Sequence, residues 1–224
     1  MIEQRSPGRR PIPARKTSLA IRFAAWMASA GITPNQISLL GLAAGVLSGA
    51  ALFLTPSLPD FVRLLWIASA ILVVVRGLSN MFDGMVAVEH GQATRTGLLY
   101  NEIPDRLSDV ALMVGAGYSI GGNVTAGWAA ACVALLVTYI RVVGSLAGAP
   151  ADFGGLMAKQ QRMFSVAAVA FYLGVTPMGW HPAFGFLGGS GLMGVILWII
   201  VVGGILTGIV RLRRAARALQ SRES

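Results

Sequence analysis

Acidic residues are scarce in this chain. Its 224 residues include nine Asp and Glu against 18 Lys and Arg, and charged residues make up only 12% of the whole. Soluble domains average about 25% charged, so an ordinary soluble globule is excluded for want of charge to cover its surface. A composition that is 55% hydrophobic excludes a disordered chain. The one cysteine, Cys132, excludes an intrachain disulfide framework. It lies in an apolar run and is expected to be a small buried residue. The two histidines, His90 and His181, are expected in loops rather than as ligands. The N-terminal stretch is basic, holds Pro7, Pro11 and Pro13, and does not read as a cleaved signal peptide.

Long apolar runs are abundant. Ile37–Leu54 is free of charge, and Phe61–Phe82 is interrupted only by Arg63 and Arg76. A bilayer span needs roughly 20 apolar residues. Val110–Ile140 is too long for one span, and Gly121-Gly122-Asn123 divides it into a span ending near Ile120 and another over Ala126–Leu146. Met163–Val210 is likewise divided, by Pro177 to Pro182 and by the glycines around Ser190. The reading is an all-α integral membrane protein with six transmembrane helices, preceded by an interfacial amphipathic helix over residues 18–31. Ser18 is expected to cap that helix and Gly31 to end it.

An even number of spans puts both termini on one side. Arg5, Arg9, Arg10, Arg15, Lys16 and Arg22 precede the first span, and Arg211, Arg213, Arg214, Arg217 and Arg222 follow the last. The positive-inside rule then predicts cytoplasmic termini in the cytoplasmic membrane. The expected organisation is a basic N-terminal segment (1–17), the interfacial helix (18–31), a six-helix catalytic domain (32–210) and a basic tail (211–224). Beside apolar spans these basic ends suit anionic membrane lipids rather than nucleic acid.

The few acids are not spread evenly. Five of the nine, Asp83, Glu89, Glu102, Asp105 and Asp109, fall in one window between the second and third spans. Ionisable groups at membrane depth are costly and mark function by default. Glu89 suits a solvated connection, but Asp105 and Asp109 precede an apolar helix. Asn80, Asp83 and Ala87 recur on one face of the second span. Gly97, Asn101, Asp105 and Asp109 recur on one face of the third. Joined by a short connection, the two polar faces can meet at the cytoplasmic surface. Gly84 and Gly97 permit close approach of a helix or a ligand. Pro104 frees the Tyr100 carbonyl inside the third helix. Asp and Asn oxygens suit Mg²⁺ or Mn²⁺ rather than zinc. Such a site at headgroup level points to phosphoryl transfer on a lipid.

These residues resemble a known signature. Asn80-x-x-Asp83-Gly84-x-x-Ala87 followed by Gly97-x-x-x-Asn101-x-x-x-Asp105 looks like that of the CDP-alcohol phosphatidyltransferases. Its pattern is D-x-x-D-G-x-x-A-R, eight residues, then G-x-x-x-D-x-x-x-D. The spacing matches throughout, including the gap from Val88 to Gly97. Thr94 stands where members carry Ser or Thr, and Thr33-Pro34-Asn35-Gln36-Ile37-Ser38 is similar to the family's opening of its first span. The resemblance implies six spans, homodimers, and displacement of CMP from a CDP-linked lipid, CDP-diacylglycerol, by a polar alcohol acceptor. It implies metal positions at Asn80, Asp83, Asn101 and Asp105, with Asp105 as catalytic base. Thr33, Asn35, Gly84, Ala87, Thr94 and Gly97 would lie around the CDP group.

Three departures stand out. The first and third aspartates are Asn80 and Asn101, and the motif arginine is Val88. Each amide removes a negative charge, so Glu102 or Asp109 is expected to make up the metal's charge, and Arg95 or Arg106 to replace the guanidinium. Arg106 is equally expected to pair with Glu102 at i, i+4. Arg76, one turn before Asn80, can reach the same pocket or pair with Asp83. On the acceptor side, Arg141 lies inside the fourth span, and Lys159 and Arg162 open the fifth at the same level. Such cations suit a phosphorylated acceptor. Two other readings stand beside the transferase: a catalytically altered relative that binds a CDP-lipid without turnover, and a small transporter with a carboxylate relay.

Overall fold

The computed structural model describes residues 15, 17–89, 91, 96–185 and 188–223. His90, Thr94 and Arg95 lie outside the described residues. Seven α-helices account for most of the chain: α1 (Ser18–Ser29), α2 (Pro34–Phe53), α3 (Val62–Glu89), α4 (Gly97–Tyr118), α5 (Val124–Leu146), α6 (Lys159–Val175) and α7 (Leu192–Glu223). A two-residue antiparallel ladder pairs Ala183 with Gly191 and Phe184 with Ser190 in the α6–α7 connection.

Local chemistry explains the helix ends. Thr33 caps α2: its hydroxyl accepts from the Gln36 backbone while the Gln36 side chain accepts from the Thr33 N–H, with Pro34 in the first turn. Asn123 caps α5 through the Ala126 N–H at 2.9 Å. The cap of α1 is Thr17, which accepts from Ala20 N, and not Ser18; the helix starts one residue earlier than a Ser18 cap would place it. Gly31 has φ +74°, a conformation suited to glycine, and leads the chain away from α1.

The helices pack tightest where side chains are smallest. A Cβ on Gly49 would strike the Ala111 carbonyl of α4, and one on Gly115 would strike the Gly49 backbone. α2 and α4 are therefore nearly in backbone contact. That contact fixes the height of α4 along α2, and α3 also packs on α2. α5 packs on α4 and α7, and α6 on α3. Trp66, Val73, Leu112, Met113, Val137, Val166 and Leu197 meet in one core. A smaller cluster holds α1 against α3 through Ala20, Ala24, Met27, Ile37, Met85 and Val86.

The outside of the bundle is apolar. Leu39, Leu47, Ile71, Leu135, Phe171 and Ile205 are among many large hydrophobic residues left exposed, as expected of an integral membrane protein. Among the described residues, four helical stretches are long and apolar enough to cross a membrane: Pro34–Phe53, Pro59–Val88, Val124–Leu146 and Leu192–Ser221. α4 carries Glu102, Asp105, Arg106 and Asp109, and α6 is only 17 residues long. Two expectations need correction. Cys132 is exposed on the apolar surface of α5 rather than buried. The residues from Arg211 to Glu223 continue α7 without a break, and Arg211 is buried within the bundle.

Candidate active site

α3 runs unbroken past the apolar segment as far as Glu89. Arg76, Asn80 and Asp83 therefore lie on successive turns of one rigid element. α4 places Asn101, Asp105 and Asp109 on the facing side. Pro104 sits inside α4, and the Ser108 hydroxyl donates to its carbonyl at 2.7 Å.

Asp105 is where three helices converge. Asn80 Nδ2, from α3, donates to both of its oxygens, at 3.2 and 3.3 Å. Arg76 of α3 and Lys159 of α6 both form ion pairs with it, and Arg106 Nη2 lies 3.5 Å away. Its neighbours on α4 are also held. Asp109 Oδ2 accepts from Arg162 Nη2 at 3.1 Å, with both side chains 1% exposed. Both Glu102 oxygens accept from Arg141 Nη2, at 2.8 and 2.9 Å. Arg106 reaches Glu102 at 3.3 Å and Asp109 at 3.5 Å, and donates to Thr138 Oγ1 at 2.7 Å. The Arg141 guanidinium lies 5.1 Å from the centre of the Phe153 ring, a cation–π contact.

All of these side chains except Asp109 line one cavity of about 440 Å³. Its walls carry seven cations, Arg15, Arg76, Arg106, Arg141, Lys159, Arg162 and Arg211, against two carboxylates, Glu102 and Asp105. The excess of positive charge fits an anionic ligand. Of the residues predicted from sequence, Asn80, Asn101, Glu102, Asp105, Arg141, Lys159 and Arg162 all face this cavity. Thr33, Asn35, Gly84, Ala87 and Gly97 do not line it, and the Thr33 hydroxyl is used in capping α2. Asp83 is 3% exposed and lies behind the lining, with Oδ2 accepting from Ser38 Oγ at 2.8 Å.

Sequence reasoning missed three participants. Ser38 was part of a recognised motif but had no assigned partner. Thr138, inside α5, had no assigned role. Arg211 read as a tail charge, yet its guanidinium donates to the carbonyls of Gly154 and Val137 at 2.9 and 3.2 Å. Only the first carried a signal, its place in the Thr33–Ser38 motif. Arg76 pairs with Asp105 rather than Asp83.

A metal ion must be tested against the donors present. Asp83 Oδ1 is buried and has no hydrogen-bond partner among the described residues. Asn80 and Asn101 each offer an amide oxygen of the kind hard divalent cations accept. Asp83 and Asp105 supply two negative charges, enough for one such ion. Glu102 and Asp109, the other expected sources of metal charge, form ion pairs with Arg141, Arg162 and Arg106, and Asp109 Oδ1, like Asp83 Oδ1, is buried with no hydrogen-bond partner among the described residues. Among the described residues no group of three or more His, Cys, Asp or Glu is placed to share an ion.

The sequence profile of the CDP-alcohol phosphatidyltransferases matches residues 31–210. A phosphatidylinositol phosphate synthase of Streptomyces avermitilis is 30% identical over 202 residues, 87% of this chain and 77% of that protein. The crystal structure of a phosphatidylinositol phosphate synthase of Mycobacterium tuberculosis with CDP-DAG bound superposes with a TM-score of 0.69 at 24% identity. It covers 89% of this chain and 94% of that one. The same enzyme in complex with manganese and citrate gives a TM-score of 0.67 at 25% identity, over 87% and 88% of the two chains.

Proposed function

The chain belongs to the CDP-alcohol phosphatidyltransferase family, and from that premise we propose that its acceptor is a phosphorylated alcohol. It is an integral membrane enzyme of phospholipid synthesis that moves a phosphatidyl group from a CDP-linked lipid to an alcohol and releases CMP. The observation that carries the acceptor assignment is the cavity in which Arg141, Lys159 and Arg162 stand together opposite Asp105. Arg and Lys bind phosphate by charge-assisted hydrogen bonds. The relatives named as phosphatidylinositol phosphate synthases make inositol phosphate the first acceptor to try.

In the proposed reaction the acceptor phosphate lies on Arg141, Lys159 and Arg162, which brings the acceptor hydroxyl to Asp105. An Asp105 carboxylate oxygen takes the hydroxyl proton. The acceptor oxygen then bonds to the β-phosphorus that bears the diacylglycerol. The bond from that phosphorus to the bridging oxygen breaks, and CMP leaves with the electron pair. Mg²⁺ or Mn²⁺, held by Asp83 and Asp105 with the amide oxygens of Asn80 and Asn101, would neutralise the pyrophosphate. Thr33, Asn35, Gly84, Ala87 and Gly97 surround the cytidine end of the donor, outside the acceptor cavity. Glu102 and Asp109 hold Arg141 and Arg162 in place.

The finer membrane arrangement follows the charge pattern. α2 to α7 are six spans, α1 lies at the interface, and both termini and the site face the cytoplasm. The functional unit is a homodimer. α1 suits its position because Leu19, Ile21, Phe23 and Trp26 stay exposed while Ala20, Ala24 and Met27 pack on the bundle.

The test is CMP release from CDP-diacylglycerol by the purified chain with Mg²⁺ or Mn²⁺. Inositol phosphate and glycerol phosphate are compared with inositol and glycerol. Release is expected with a phosphorylated acceptor and is expected to vanish in Asp83→Ala and Asp105→Ala. Equal rates with the unphosphorylated alcohols would refute the acceptor assignment, and wild-type rates in either variant would refute the site.

A further inference from the structure

Arg76 has no place in the family's motif, yet it occupies the middle of the site. It stands one helical turn before Asn80 on α3, its side chain is 2% exposed, and it forms an ion pair with Asp105. The backbone of α2 hems it in. A Cβ on Gly41 would come within 3.0 Å of Ser79 Cβ and 3.3 Å of Arg76 Nη1. The guanidinium therefore lies close against α2 at Gly41. A guanidinium keeps its charge at any working pH. The Arg76 side chain is buried in the cavity wall rather than extended to the outer surface.

The same site is short of negative charge by two. A cluster of four aspartates carries four negative charges, enough to neutralise two divalent cations. Here Asn80 and Asn101 leave Asp83 and Asp105. Asp105 already faces Arg76, Lys159 and Arg106. One lost carboxylate, at Asn80, lies one turn from the buried Arg76 on α3, and the other, at Asn101, lies on the facing helix α4. We propose that Arg76 is a resident positive charge of this site, and that the cluster accordingly binds one divalent cation where four aspartates would bind two. The single ion belongs with Asp83, whose Oδ1 has no hydrogen-bond partner among the described residues. The Arg76 guanidinium remains at Asp105, where it supplies fixed charge and directed N–H donors to the donor's phosphate oxygens. The inference deepens the transferase reading and rests on it for the identity of those phosphates.

The experiment counts ions directly. Mn²⁺ is titrated into the purified full-length chain in detergent with CDP-diacylglycerol, and free Mn²⁺ is followed by electron paramagnetic resonance. One ion per chain is expected. Two ions per chain in the wild type would overturn the proposal, and so would none. A second variant tests the cause. In Arg76→Gln/Asn80→Asp/Asn101→Asp the count should rise to two, with spin–spin coupling between neighbouring Mn²⁺ ions. A folded triple variant that still binds one ion would overturn the role given to Arg76. If the triple variant fails to fold, the wild-type count alone decides. CMP release is measured on the same preparation. A count of two with CMP release intact refutes the inference and leaves the transferase reading standing. No release with any acceptor refutes that reading whatever the count.

Discussion

Replacing Asp109 with Asn tests whether the acceptor cations are held by buried carboxylates. The Arg162 and Asp109 side chains are each 1% exposed, with charged atoms 3.1 Å apart. At that separation the Coulomb attraction is about 5 kcal/mol for an effective dielectric constant of about 20. Desolvation offsets much of it, so the intact pair adds little net stability. Removing one partner is different, because Arg162 stays buried without its counter-charge, and breaking a buried pair costs about 3–5 kcal/mol. Arg106, 3.5 Å from the same carboxylate, loses a partner too. Each 1.4 kcal/mol is a tenfold change, so the folding equilibrium should fall by about two to four orders of magnitude. Unfolding in mixed detergent micelles, followed through the five tryptophans, reads this loss. The double variant Asp109→Asn/Arg162→Met removes both charges and should recover most of the stability, since neutral replacements of similar volume are often tolerated. A loss under about 1 kcal/mol in the single variant, or no recovery in the double, would refute the reasoning.

Two further outcomes follow from geometry. Gly49→Ala drives a methyl group into the Ala111 carbonyl; it should destabilise the bundle by at least about 1–3 kcal/mol, the usual range for overpacking, visible as a lower midpoint of thermal aggregation, and an unchanged midpoint would show that α2 and α4 can separate cheaply. Arg141→Ala removes one charge-assisted phosphate contact, worth about 1.5–3 kcal/mol. The KM for a phosphorylated acceptor should rise by about 10- to 100-fold, while the KM for CDP-diacylglycerol stays within about twofold; equal effects on both would place Arg141 outside the acceptor site.

Helices of this chain were legible because apolar runs and turn residues are strong local signals. Gly121, Gly188 and Gly189 mark turns between apolar runs that hydropathy alone would fuse, and they adopt the positive φ such turns need. The motif on α3 and α4 was legible for the same reason, as fixed spacing on a helix fixes a face. What could not be read was the pairing across helices. Arg76 stands closer in sequence to Asp83 than to Asp105, yet it pairs with Asp105 because α2 forces α3 and α4 together at that height. Arg211 looked like one of a cluster of tail charges. Its burial depends on α7 continuing as a helix past the apolar stretch, and apolar periodicity does not report that. The end of α1 shows the local limit: Thr17 and Ser18 are both good caps, and the choice between them is settled by one hydrogen bond.

Arg106 has a consequence for how this site can be dissected. One guanidinium touches Glu102, Asp105 and Asp109, three acids on consecutive turns of α4, and is anchored to α5 through Thr138. A change at any of the three alters the partner available to the other two. Effects of single substitutions here will therefore not sum, and the rank order of single variants will not be a rank order of roles. Roles at these positions are separable only by thermodynamic cycles that pair each acid with Arg106. The scarcity of acids that singles out the site also leaves its members energetically inseparable.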